Sequence, residues 1–173
     1  GVGEDITFDT YLSGLLDCKV HMFDPTPRSI EHVKEVKKVI DRMIEPVYNK
    51  RNGGGDVKYW EKILSYNAKS KNLLMYDYGL CTEEGYLKFF KPENEEYVSH
   101  SLLEGMCSEN FIKVPVKKIR TIMNELGHKH IDLIKMDIEG VECAVVNQMF
   151  DENIFPQFLC IEFDIARNTK IDG

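Results

Sequence analysis

Short apolar runs alternate along this chain with longer stretches in which apolar residues recur at helical spacing. The first run, Lys19–Phe23, stops at Asp24-Pro25 and reads as a buried strand, because proline cannot continue a strand ladder. Thr26 then predicts a helix N-cap with Pro27 in the first helical position, opening a helix that runs to about Met43. Ile30, Val33, Val36, Val39, Ile40 and Met43 share one face of that helix, so the face is expected to pack on a sheet. Asn49–Asp56, with its three consecutive glycines, reads as a loop, and Tyr59–Tyr66 as a short helix. Leu73–Tyr78 and Gly85–Phe90 read as strands, and Pro92–His100 as a polar, mobile loop. Phe111–Val114 is a strand that Pro115 should end, followed by a helix over Val116–Leu126 that Gly127 closes. Ile131–Met136 is an apolar run without alternation, the mark of a strand buried on both faces. Val141–Phe150 reads as a helix and Phe158–Phe163 as another buried strand.

Strand–helix alternation of this kind implies parallel βαβ units. The expected fold is α/β: a Rossmann-like, doubly wound, mostly parallel sheet with helices on both faces, residues 1–173 forming one domain. In such sheets ligands bind outside the carboxyl ends of the strands. Here those ends carry Asp24, Asp77, Asp137, Glu139, Glu162 and Asp164, so carboxylates gather where the chemistry is expected.

Composition narrows the function classes. The chain of 173 residues is 43% hydrophobic and 29% charged, which suits one globular domain. Its net charge of −7 argues against nucleic acid as a partner, since neutralising phosphates takes clustered Lys and Arg. The five cysteines form no CxxC pair and their number is odd, so reduced thiols, mostly in or near the core, are expected. No apolar run approaches the roughly 20 residues needed to span a bilayer, and a cytoplasmic protein is the expectation. The chain opens inside a motif, so its natural N-terminus is expected upstream.

That motif is Gly1-Val2-Gly3-Glu4-Asp5-Ile6-Thr7. Gly-x-Gly at a helix start permits a tight turn and a close backbone approach to a ligand. A dinucleotide fingerprint would place a third glycine where Ile6 stands, and Glu4 and Asp5 would repel a pyrophosphate. S-adenosyl-L-methionine carries a sulfonium and an ammonium and no phosphate, so an acidic turn suits it better; alternatively, the two acids only complement the helix dipole. Gly1, Val2, Gly3 and Asp5 are the candidate contacts. Asp24 follows at about the 20-residue spacing at which a strand-end carboxylate accepts both ribose hydroxyls, with Thr26 beside it in a rigid Pro-x-Pro turn; the competing role for Asp24 is a helix cap. A third constellation, Asp137, Glu139 and Glu142, could hold the cofactor's ammonium, orient a substrate hydroxyl or take its proton, or merely cap a helix. His128 and His130 lie in a polar turn and read as solvated, so no metal is expected. Trp60 reads as packing or a lid.

Taken in order, the glycine turn, Phe23-Asp24-Pro25-Thr26-Pro27, Tyr78-Gly79-Leu80 with Glu83-Glu84-Gly85, Lys135–Glu142 and Cys160-Ile161-Glu162 resemble the FkbM-type methyltransferases. The resemblance implies a class I methyltransferase fold that uses S-adenosyl-L-methionine, typically to methylate a hydroxyl on a sugar or small natural product. By resemblance Gly1–Asp5 is the cofactor loop, Asp24 the ribose-binding acid, and Tyr78-Gly79 the segment near the adenine. Asp137 and Glu139 are the acidic pair after the fourth strand and the expected catalytic residues, Asp137 also facing the cofactor. The family's first strand precedes the glycine turn and an antiparallel pair follows the Glu162 strand, so both are expected to lie outside this chain. Two other readings stand beside this one: an NAD-dependent oxidoreductase and a catalytically silent binding module.

Overall fold

A computed structural model describes residues 1–48, 56–90, 111–138 and 140–163, with the side chains of Phe89 and Phe90 excepted. The expected loops over Asn49–Asp56 and Pro92–His100 lie outside them, save Asp56 itself. The chain divides into two compact units, Val2–Tyr78 and Gly79–Gly173 with Gly1.

The first unit runs α1 (Thr7–Leu16), β1 (Val20–Phe23), α2 (Pro27–Ile40), α3 (Val57–Ser65), a short 3-10 turn (Ser70–Asn72) and β2 (Leu73–Tyr76). β1 and β2 are parallel, Val20 opposite Leu73 and Phe23 opposite Tyr76. Alternate residues of a strand face opposite ways, so Val20, Met22, Leu73 and Met75 meet the helices in a core with Ile6, Val33, Val36, Trp60 and Ile63. His21, Phe23 and Tyr76 occupy the other face as an aromatic ladder: Phe23 and Tyr76 stack at 4.9 Å, and His21 Nδ1 lies 3.0 Å from the Tyr76 hydroxyl. Pro27 opens α2 as the sequence predicts. The helix ends at Ile40, short of the expected Met43, because Arg42 turns left-handed (φ 57°) and leaves Met43 exposed. Asp56 caps α3, its Oδ1 accepting the Tyr59 N–H at 2.7 Å. Gly14 lets α1 approach the chain after α3: a Cβ there would stand 1.8 Å from the Tyr66 carbonyl oxygen.

The second unit holds β3 (Gly79–Leu80), β4 (Gly85–Phe90), β5 (Phe111–Lys117), α4 (Ile119–Leu126), β6 (Leu133–Met136), α5 (Glu142–Asp151) and β7 (Phe158–Ile161). β5 is central in a small sheet, antiparallel to β4 and parallel to β3. Pro115, expected to end this strand, lies inside it, and α4 starts correspondingly late. β3 pairs only with Val116 and Lys117, so at Pro115 the ladder has a neighbour on one side alone, where a residue lacking an N–H is tolerated. Gly127 closes α4 as expected, left-handed at φ 70°, with its N–H and that of His128 returned to Asn124 and Met123. β6 and β7 pair in parallel across α5.

All four segments expected to build the parallel sheet form strands, in two parallel pairs, and the fold class is α/β. The described strands make three small sheets. The expectation that β6 and β7 are buried on both faces does not hold: Lys135 is exposed, and Phe158 is 63% exposed in a strand with no buried residue. Apolar composition was the only sign of burial there, and β7 has a single neighbour among the described residues. The four described cysteines are unpaired, and Cys143 and Cys160 are exposed, contrary to the expected core placement. Among the described residues no helix is long and apolar enough to cross a membrane.

Candidate functional site at the strand ends

Asp24 is the first residue after β1, and its N–H continues the ladder to the Tyr76 carbonyl at 3.2 Å. Its carboxylate is 6% exposed and turned inward. Oδ2 accepts the N–H groups of Val2 (2.8 Å) and Gly3 (3.1 Å) and the Ser29 hydroxyl (3.0 Å). Oδ1 accepts the Thr26 N–H at 2.8 Å and the Thr26 hydroxyl at 2.6 Å. Burial opposes the charge, but the Thr26 hydroxyl and the amides of Val2, Thr26 and Gly3 outweigh it and hold the pKa below its ordinary 3.8. The carboxylate therefore joins three pieces: the glycine turn, the end of β1 and the first turn of α2.

Gly3 sits at φ +62°, and nothing lies within 4 Å of where its Cβ would stand, so the turn offers open ground on that side. Glu4 is paired with Arg28 at 2.6 Å. Asp5 is exposed and stands just before Ile6, the N-cap of α1, its Oδ1 accepting the Thr7 N–H at 2.9 Å and the Thr7 hydroxyl at 2.7 Å. The far end of the turn rests on a buried pair that the sequence reading did not single out. The Tyr59 oxygen accepts the Ile6 N–H and stands 2.6 Å from His32 Nε2. Burial lowers the His32 pKa, against the pull of Glu4 and Asp5, and raises that of Tyr59. The one signal for His32 was its spacing to Val36 and Val39 on the apolar face of α2. Trp60, 1% exposed, packs beside this pair.

These shifts predict an acid response. His32 with a lowered folded pKa binds its proton less readily than in the unfolded chain, so stability falls as pH drops below its ordinary 6.5. Asp24, also lowered, contributes stability that is present above 3.8 and lost as pH falls through its folded value. Denaturant midpoints should decline in two stages, and His32→Gln should remove the first. A flat profile from pH 7.5 to about 5 in the parent protein would contradict this.

The other candidates fall as follows. Thr26 is buried and committed to Asp24 and Ser29. Tyr78 packs on Phe23 at 5.5 Å and Tyr76 at 5.7 Å, at the end of the first unit, and Gly79 opens β3 of the second. Asp137 follows β6 and is half-buried, and its carbonyl oxygen lies 2.6 Å from the Gly1 nitrogen. Glu139 lies outside the described residues. Glu142, 2% exposed, accepts the Ile138 N–H at 3.0 Å and the Gly140 N–H at 3.1 Å, with Gly140 at φ +106°. In both units, then, a buried carboxylate gathers backbone N–H groups of a glycine-containing turn at a strand's carboxyl end. No group of three or more His, Cys, Asp or Glu placed to hold a metal occurs among the described residues.

A sequence model of the methyltransferase FkbM domain matches residues 7–165, which span both units; the glycine turn precedes the match. No curated protein and no solved structure matches the chain.

Proposed function

The chain belongs to the methyltransferase FkbM domain family, and from that membership we propose that it transfers a methyl group from S-adenosyl-L-methionine to a hydroxyl of a sugar or small natural product. One observation carries the choice of donor. In a dinucleotide site the N–H groups of the glycine turn cradle a pyrophosphate. Here the amides of Val2 and Gly3 are both taken by the Asp24 carboxylate. A turn whose amide donors are spent on a carboxylate and whose flank exposes Asp5 suits a phosphate-free, cationic ligand. The open ground beside Gly3 fits such a group as well.

When bound, S-adenosyl-L-methionine supplies an electrophilic methyl, whose bond to sulfur breaks as the bond to the acceptor oxygen forms, leaving a neutral thioether. Gly1, Val2, Gly3 and Asp5 would form the loop that seats it, with Tyr78 and Gly79 beside its adenine, Asp24 on its ribose hydroxyls and Thr26 next to Asp24. Asp137 takes the ammonium. Glu139 receives the proton that the hydroxyl loses. The protein's remaining work is alignment and exclusion of water. Residues 1–173 are read as one domain of the Rossmann-like, doubly wound class. A reducing, cytoplasmic setting agrees with the free thiols.

Calorimetry with S-adenosylhomocysteine and with NAD tests the donor. Saturable binding of the first alone supports the proposal; binding of NAD alone would replace it with an oxidoreductase, and binding of neither would favour a silent module.

A further inference from the structure

We infer that His32 is a positioning residue whose neutral ring, acting through Tyr59, holds the glycine turn in the form that takes the donor, so that a proton on His32 and a bound donor oppose one another. The inference rests on the donor proposed above for its binding test. Ile6 closes the turn as the N-cap of α1, and its side chain has nothing with which to cap the helix. Its buried amide is held from outside, by the phenol oxygen of Tyr59 on α3. A phenol has one proton and two lone pairs. One lone pair takes the Ile6 N–H, and the single proton goes to His32 Nε2, 2.6 Å away on α2. That assigns Nε2 as the unprotonated nitrogen of a neutral ring. One chain of hydrogen bonds thus ties the end of the turn to α3 and α2. A proton on Nε2 replaces the acceptor by a second donor. The phenol must then turn its own proton away, and the imidazolium competes with the Ile6 amide for the phenol oxygen. Tyr59 is 5% exposed and His32 7%, so the displaced donor meets little water to take it. Among the described residues, Glu4 and Asp5 of the turn, Asp9 of α1 and Glu35 of α2 are the charges that act on the pair; Glu4 is paired with Arg28, and α3 adds the Trp60 ring. Glu4 and Asp5 favour a proton on His32, and burial outweighs them. The ring is therefore neutral near neutral pH and charges only below its ordinary 6.5. Linkage is reciprocal: if the neutral ring favours the donor, the bound donor keeps the ring neutral to lower pH.

The experiment measures S-adenosylhomocysteine binding by calorimetry from about pH 7.5 to about pH 5, in the parent protein and in His32→Gln, each checked as folded by near-ultraviolet circular dichroism. Glutamine keeps an acceptor for the Tyr59 proton but does not titrate. The parent's dissociation constant should rise by about tenfold over this range, while that of His32→Gln, whatever its level at the upper pH, should stay constant within about twofold. A level parent profile, or an equal rise in the variant, overturns the inference. Should His32→Gln not fold, the parent's own ring decides it. Its His32 C–H resonance should titrate at lower pH in the complex than in the free protein, and equal midpoints overturn the inference. Should the parent bind no S-adenosylhomocysteine, the donor proposal fails alone, and amide exchange decides the positioning role. Relative to free-chain rates, loss of protection at Ile6 on acidification that exceeds the loss at Ile63 of α3 by about tenfold upholds it, and parallel losses at the two amides overturn it.

Discussion

Glu139→Gln is expected to lower kcat by about 10²–10⁴-fold while leaving S-adenosylhomocysteine affinity within a few fold. The substitution keeps shape and removes the base, so a loss confined to kcat locates Glu139 at the acceptor's proton in the transition state. Asp137→Asn should divide the other way, weakening the cofactor by about 1–3 kcal/mol, since an ammonium loses a charged partner. Asp137 is the first residue after β6 and lies in the same unit as Gly1. If Glu139→Gln weakens cofactor binding and Asp137→Asn alone slows turnover, the two roles are exchanged. If neither folded variant differs from the parent, these acids cap a helix and the catalytic assignment fails.

Glu142→Ala is expected to destabilise the protein by about 3 kcal/mol, read as a shift in denaturant midpoint without a change in slope. The side chain is almost fully buried and gathers the amides of Ile138 and Gly140, which would be left without their acceptor. Glu142→Gln keeps one acceptor oxygen and should lose roughly half as much. Those two amides flank position 139 in the chain, so turnover should fall in both variants even where the protein remains folded. A change in stability below about 0.5 kcal/mol for Glu142→Ala would mean that water replaces the carboxylate at no cost.

Periodicity carried most of the fold into view. The four strands, the proline at the start of α2 and the glycine closing α4 each have a local cause, and a local cause can be read from neighbours in sequence. Pro115 misled because its tolerance depends on where β3 stops pairing, which is a matter of register. Phe158–Phe163 misled because apolar residues mark burial only when something covers them. At the site, the residue types at the strand ends were legible, but their partners were not. Nothing in the spacing of Asp24 announces that it accepts from an amide pair more than 20 residues away, with the Ser29 hydroxyl donating to the same carboxylate. His32 and Tyr59 come together only once α2 and α3 pack. Among the three acids Asp137 was the strongest candidate and Glu142 the one for which a helix cap competed most, and its burial separates it from Asp137.

Titration of isotope-labelled protein with S-adenosylhomocysteine, followed by amide chemical shifts, tests the central claim most directly. The proposed methyltransferase site predicts saturable shifts concentrated at Val2–Asp5, Tyr78-Gly79 and Asp137–Gly140. Absence of saturable shifts, or shifts confined to other segments, would contradict it.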